Sequence, residues 1–182
     1  MKSFIAVRDH ETCLQISYQD LIQYHGRTFI AGVAMAFKLL QLVADRLVDG
    51  VLPRGELQAV LAVNGPGIID GIEMATRAKT HGCLLVNQRI AATRAVPDAA
   101  DGQGGKYYFV FSCRGRQLAV WLQDGLVPQE FLDLAYKTHD GSISQPEKAR
   151  LQQLKEELAV FLISLPPEAI FHYSLQASEG RD

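Results

Sequence analysis

The chain has 182 residues, 48% of them hydrophobic and 21% charged, and a net charge of -2. That is enough apolar material for one well-packed domain, and the charge balance gives no electrostatic case for nucleic acid or an anionic membrane as partner. The three cysteines, Cys13, Cys83 and Cys113, are an odd number with no CxxC spacing, which points to free thiols in a reducing, cytoplasmic setting rather than a disulfide framework.

The N-terminal run beginning at Phe4 meets Arg8 and Asp9 too soon for the apolar region of a signal peptide. Ser17 is a good N-cap for a short helix through Tyr24 that stops at Gly26. A second helix is predicted over 31–48, with Val33, Ala36, Phe37, Leu40, Val43, Ala44 and Leu47 at helical spacing. The longest apolar run, from Phe29 to Phe37, is closed by Lys38 and is too short to span a bilayer. Small residues crowd the first two turns (Ala31, Gly32, Ala34, Ala36), so another backbone can come close there. The apolar stretch 57–63 reads as a buried strand, ended by Asn64 and Gly65, and Pro66 suits the first turn of the next helix, which breaks at His81 and Gly82.

Residues 83–86 read as a strand, and 91–105, rich in Ala, Asp and Gly, as a mobile surface loop. Residues 107–112 and 117–122 form a hairpin bridged by Cys113, Arg114, Gly115 and Arg116, and Pro128 opens a helix through Tyr136. Ser144 caps the clearest helix, whose apolar face is Leu151, Leu154, Leu158, Phe161 and Leu162. A last edge strand is expected over 169–175. The order describes one α+β domain, with helices on a mixed, mostly antiparallel sheet and a core over about 17–175.

Two stretches stand out: Tyr24-His25-Gly26-Arg27, and Asn64 through Asp70. Together they resemble the FmdE family, a component of the molybdenum/tungsten formylmethanofuran dehydrogenases, and the resemblance runs from about Tyr18 to Tyr173. That family reads His-Gly-His-x-Cys-Pro-Gly at the first stretch, and Cys-x-x-Asp-Ala followed by Thr-Gly-Cys-Thr-x-Gly-Lys-Gly at the second. His25, Gly26, Asp70, Ile72 and Thr76 coincide with the pattern. Arg27 stands at its second His, and Phe29, Gly67 and Ala78 stand at its cysteines. The family's Cys-rich zinc ribbon has no counterpart after Tyr173. The resemblance implies a fold similar to the C-terminal domain of glyceraldehyde-phosphate dehydrogenases, a homodimer, and an accessory role in one-carbon metabolism beside other dehydrogenase subunits. It also implies zinc as the leading metal, with His25 as the one inherited ligand.

Read from the residues themselves, His25 beside a glycine at a helix end can place an imidazole in a cleft, or simply cap the helix. Asn64, Gly65 and Gly67 form a strand-to-helix turn whose backbone can approach a small anion, with Arg27 as complementary charge; an ordinary glycine turn is the plainer alternative. Asp70, with Glu73 nearby, is either a site carboxylate or an acidic first turn favoured by the helix dipole. His81 and Cys83 are the only close His/Cys pair, though a Cys opening an apolar strand is more often a small buried hydrophobe. Cys113 is expected as an incidental exposed thiol at a hairpin tip. Tyr107, Tyr108, Phe109, Phe111 and Trp121 line an aromatic pocket or are ordinary cross-strand packing. Three functions stay open: a metal- or small-ligand-binding protein, a scaffold with a degenerate site, and a small enzyme using His25 as base and Arg27 as anion clamp.

Overall fold

The structure, a computed structural model, describes residues 3–177. It opens with a hairpin that the sequence pattern does not announce: β1 (Phe4–Asp9) pairs antiparallel with β2 (Thr12–Ser17). The turn passes through His10, whose φ is +52°. Ile5, Val7 and Ile16 point inward, so the period-two signal is present but rests on three residues across two six-residue strands. A third strand, β3 (Val51–Pro53), joins β1 in parallel and completes a three-stranded sheet.

Helix α1 (Tyr18–His25) starts on a full capping box. The Ser17 hydroxyl accepts the Asp20 amide at 3.2 Å, and the Asp20 carboxylate accepts the Ser17 amide at 2.8 Å. Gly26 ends the helix at φ +86°. Helix α2 (Ile30–Leu47) is buried almost all round, as suits a central helix rather than an amphipathic surface one. Lys38, which ends the apolar run in the sequence, is buried with most of the helix. Its side chain lies only 2% exposed, and Nζ donates to the Leu165 carbonyl at 2.7 Å. Burial holds its pKa below the ordinary lysine value.

The second sheet has five strands in the order β5-β4-β6-β7-β8. β4 (Gln58–Leu61) leads through α3 (Pro66–Thr76) to β5 (Leu84–Val86), which lies parallel to β4. β6 (Tyr108–Cys113), β7 (Arg116–Leu122) and β8 (Phe171–Ala177) are antiparallel neighbours. The β6–β7 turn is two residues long, with Arg114 at φ +49° and Gly115 at φ +75°, the left-handed pair that matches strand twist. Helices α4 (Gln129–Asp140) and α5 (Gln145–Ser164) intervene, the latter capped by Ser144 and Glu147 as its sequence requires. The molecule is therefore a single α+β domain with two mixed sheets.

The crossing of α2 and α3 explains the run of small residues. A Cβ built on Gly32 would lie 3.3 Å from the Gly67 Cα, and one on Gly67 would lie 2.5 Å from the Phe29 carbonyl oxygen. One turn along, a Cβ on Gly71 would lie 2.5 Å from the Ala36 methyl. The helices touch backbone to backbone, which only glycine and alanine permit.

Candidate functional site

Beside that crossing lies a cavity of about 250 Å³, at the small end of ligand sites. Its floor is the α2–α3 contact itself, from Phe29 to Met35 and from Asn64 to Ile68. Tyr107 and the 100–103 segment form one wall, and α4 and α5 contribute Phe131, His139, Lys155 and Leu158. The turn singled out in the sequence, Asn64-Gly65-Pro66-Gly67, is thus a cavity wall.

Asp101 organises the irregular segment between β5 and β6. Its buried carboxylate accepts the amides of Asn64 at 3.1 Å, Gln103 at 3.0 Å and Gly105 at 3.0 Å, and the Gln88 side-chain amide at 2.9 Å. Burial alone would raise its pKa, but these donors together outweigh that and hold it below the usual carboxylate value. The segment expected as a mobile loop therefore contains a backbone tied at several points, and Ala91 and Ala99 are fully buried within it. Gly102, at φ +64°, packs against the His139 side chain, where a Cβ would come within 2.2 Å.

Lys155 is the cavity's cation. Its Nζ donates to the Thr28 carbonyl at 3.0 Å and sits 4.9 Å from the centre of the Phe29 ring. Loss of solvation lowers its pKa from the usual 10.5. Tyr107, buried in the wall, accepts the Ala100 amide at 3.4 Å, and burial pushes its pKa up to about 12.

His25 and Asp70, far apart in sequence, meet directly. Nδ1 of His25 lies 2.7 Å from Oδ2 of Asp70, and the imidazole is only 7% exposed. The other ring nitrogen, Nε2, is buried and finds no hydrogen-bond partner among the described residues. The Phe29 ring stands 5.9 Å from the imidazole and also lines the cavity, so it forms the partition between the two. The Tyr18 hydroxyl, seven residues back on the same helix face, is likewise buried without a partner. Its pKa is pushed up to about 12, by burial first, with Arg27 opposing and Glu156 adding.

Arg27 does not reach the Asn64–Gly67 turn. Its guanidinium is exposed and pairs with Glu156 of α5 at 2.5 Å. The cation that lines the cavity is instead Lys155, on a helix that carries no sequence signal for a site. Glu73 is no exposed acidic face either; it is buried and caps the end of α3 by accepting the Lys79 amide at 2.7 Å and the Thr80 amide and hydroxyl. His81 packs against Gly55, and the Cys83 thiol donates to the His81 carbonyl at 3.6 Å. Cys113 is buried rather than exposed, and burial raises its pKa, so it is a small core residue and not a reactive thiol. The aromatics divide: Phe109 and Phe111 are core, Tyr107 lines the cavity, and Tyr108 stacks on Trp121 with centroids 6.3 Å apart on the opposite sheet face.

The described residues bring one candidate zinc donor, His25 Nε2, into place. One orphaned imidazole nitrogen backed by a carboxylate has the second-shell arrangement of a zinc ligand, but zinc needs three or four such donors. No group of three or more His, Cys, Asp or Glu side chains converges among the described residues. At position 67 the packing leaves no room for any side chain, because a Cβ would strike the Phe29 carbonyl.

Scanned against models of known families and compared with curated proteins, the chain finds no match. No helix of the described residues is long and apolar enough to cross a membrane.

Proposed function

We propose that the protein is a small-ligand-binding accessory protein, a cytoplasmic relative of the FmdE family of formylmethanofuran dehydrogenase components, whose cavity takes a compact molecule with an apolar body and one anionic end. The observation that carries this is Lys155: a partly desolvated ammonium in the wall of a mainly apolar cavity that the first turn of α3 also lines. An anion there replaces lost hydration and is favoured by the helix dipole. Asp101 lines the same space, but its charge is engaged by four N–H donors. A carboxylate is the simplest head group that fits, and the volume restricts the body to a short chain or a single ring.

Calorimetric titration with a series of short aliphatic and aromatic carboxylates tests this. Saturable binding that Lys155→Gln abolishes and Arg27→Gln leaves intact is the expected result. Absence of binding across the series, or binding indifferent to Lys155→Gln, overturns it.

The His25–Asp70 pair favours a second reading, proton transfer by His25 oriented by Asp70. It requires Phe29 to yield so that a ligand in the cavity meets Nε2. Hydrolysis or isomerisation of a bound ligand, lost in His25→Gln with affinity retained, would distinguish this from binding alone.

A further inference from the structure

Tyr108, Trp121 and His172 are register partners across β6, β7 and β8, so their side chains share one face of the sheet. Their sequence neighbours Phe109, Val120 and Leu122 are buried in the core on the other face. The Tyr108 and Trp121 rings lie within 26° of parallel with centroids 6.3 Å apart, and the His172 ring stands 5.9 Å from that of Trp121. Residues 94–96 close one side of this aromatic row. Arg94, Ala95, Val96, Tyr108 and Trp121 thus line a second cavity, of about 270 Å³, which shares no lining residue with the cavity of Lys155.

Arg94 is the charged group of that space. Its guanidinium carbon lies 4.5 Å from the centre of the Tyr108 ring, and Nε donates to the Ile90 carbonyl at 3.4 Å. The backbone around it is tied as well: the Arg94 amide donates to the Ala91 carbonyl at 3.0 Å, and the Val96 amide to the Arg94 carbonyl at 3.0 Å. Arg27, Arg46, Arg54, Arg114, Arg116 and Arg150 are each held by a carboxylate. Arg94 has no carboxylate within ion-pair distance among the described residues, and its two terminal nitrogens make no hydrogen bond there. A fork of N–H donors is therefore held in place and left unused.

We propose that this space is a second ligand site, for a planar aromatic molecule that carries an anionic group. The lining selects the class. The guanidinium takes a carboxylate or phosphate in its fork. Tyr108 is only 4% exposed beneath Arg94, so the half-buried Trp121 ring is the aromatic surface left for a flat body to stack on. No carboxylate lines the space, so a cationic guest would find no partner and would be repelled by Arg94. A sugar needs acceptors for its hydroxyls, and the lining side chains supply only the Tyr108 phenol oxygen. An aliphatic anion would satisfy Arg94 and leave the indole uncovered. The site stands on its own residues and is independent of the reading of the Lys155 cavity.

Trp121 is the chain's one tryptophan, so its fluorescence and its indole N–H resonance report on this face alone. Nicotinate and adenosine monophosphate are the probes, with nicotinamide and adenosine as their uncharged counterparts. At least one charged probe is expected to shift both signals saturably, and which one does so tells carboxylate from phosphate. Its uncharged counterpart binds more weakly by on the order of tenfold. Arg94→Gln weakens the charged probe by a similar factor, Arg94→Lys, which keeps the charge without the fork, retains part of the affinity, and Lys155→Gln leaves the titration unchanged. Arg94 is exposed, so both of its variants keep the fold, which circular dichroism checks. No saturable shift with either charged probe, equal affinity for the uncharged counterparts, binding unmoved by Arg94→Gln, or binding lost in Lys155→Gln overturns the proposal.

Discussion

Adding one methyl group to Gly71 probes the α2–α3 crossing most directly. The new Cβ would lie 2.5 Å from the Ala36 methyl carbon. Carbon atoms in contact prefer about 3.5–4.0 Å, so the helices must part by about 1 Å. They cannot part freely, because one turn away Gly32 and Gly67 are already in backbone contact. Overpacking of this kind costs about 1–3 kcal/mol. Replacing a helical glycine by alanine returns up to about 1 kcal/mol of helix propensity. The expected net loss for Gly71→Ala is therefore about 1–2 kcal/mol, or a melting temperature lower by roughly 2–8 °C in a domain of this size. The double variant Ala36→Gly/Gly71→Ala moves the methyl group from one helix to the other and should recover most of the loss. Urea denaturation of the wild type, both single variants and the double variant gives the coupling energy, expected at about 1 kcal/mol or more. Gly71→Ala as stable as wild type, or a coupling under about 0.3 kcal/mol, would refute the reasoning.

Asp101→Asn should destabilise the protein by about 1–3 kcal/mol at neutral pH, because amides now face an NH₂ group. The folded Asp101 pKa is depressed, so its contribution is present above the unfolded value near 3.8 and is lost as pH falls through the folded value. The stability gap to the variant should accordingly close on acidification below about pH 3.8, and a gap that is constant with pH would contradict this. Carboxylate affinity, measured from neutral pH upward, should fall before the 10.5 of an ordinary lysine, since the Lys155 ammonium is lost early; affinity unchanged up to that pH would exclude Lys155 as the anchor. His25→Ala should cost about 2 kcal/mol in a denaturation experiment through the lost hydrogen bond and buried ring contacts, and an unchanged midpoint would contradict its packed position. Protein purified without affinity tag or chelator should carry well under one zinc per chain by elemental analysis; stoichiometric zinc that His25→Ala removes would overturn the donor-count argument.

Elements with chemical punctuation were legible in the sequence. Ser17 and Ser144 sit where both capping boxes form, Pro66 opens α3, and Arg114-Gly115 makes the two-residue turn. The first hairpin was not legible because its strands are short and carry charge at Arg8 and Asp9, which diluted a period-two pattern. Site residues divided along similar lines. The Asn64–Gly67 turn announces itself by composition, and the cavity stands there. Lys155 and His139 lie on helices whose pattern reports only which face is apolar, and Asp101 lies in a segment with no periodicity. Their convergence depends on tertiary packing, which local sequence does not encode. Arg27 shows the converse: a residue singled out in the sequence whose guanidinium pairs with Glu156 on α5.

Because the cavity floor is the α2–α3 crossing, its backbone cannot reshape itself around a guest. Gly32 and Gly67 leave no slack for one helix to slide without lifting the other, and α2 is enclosed on nearly every side. Recognition in such a space is preorganised, with little ordering entropy left to spend on association. Affinity should then depend on guest size as a step, not a slope: nearly level while the guest fits, and collapsing within one added methylene once it does not.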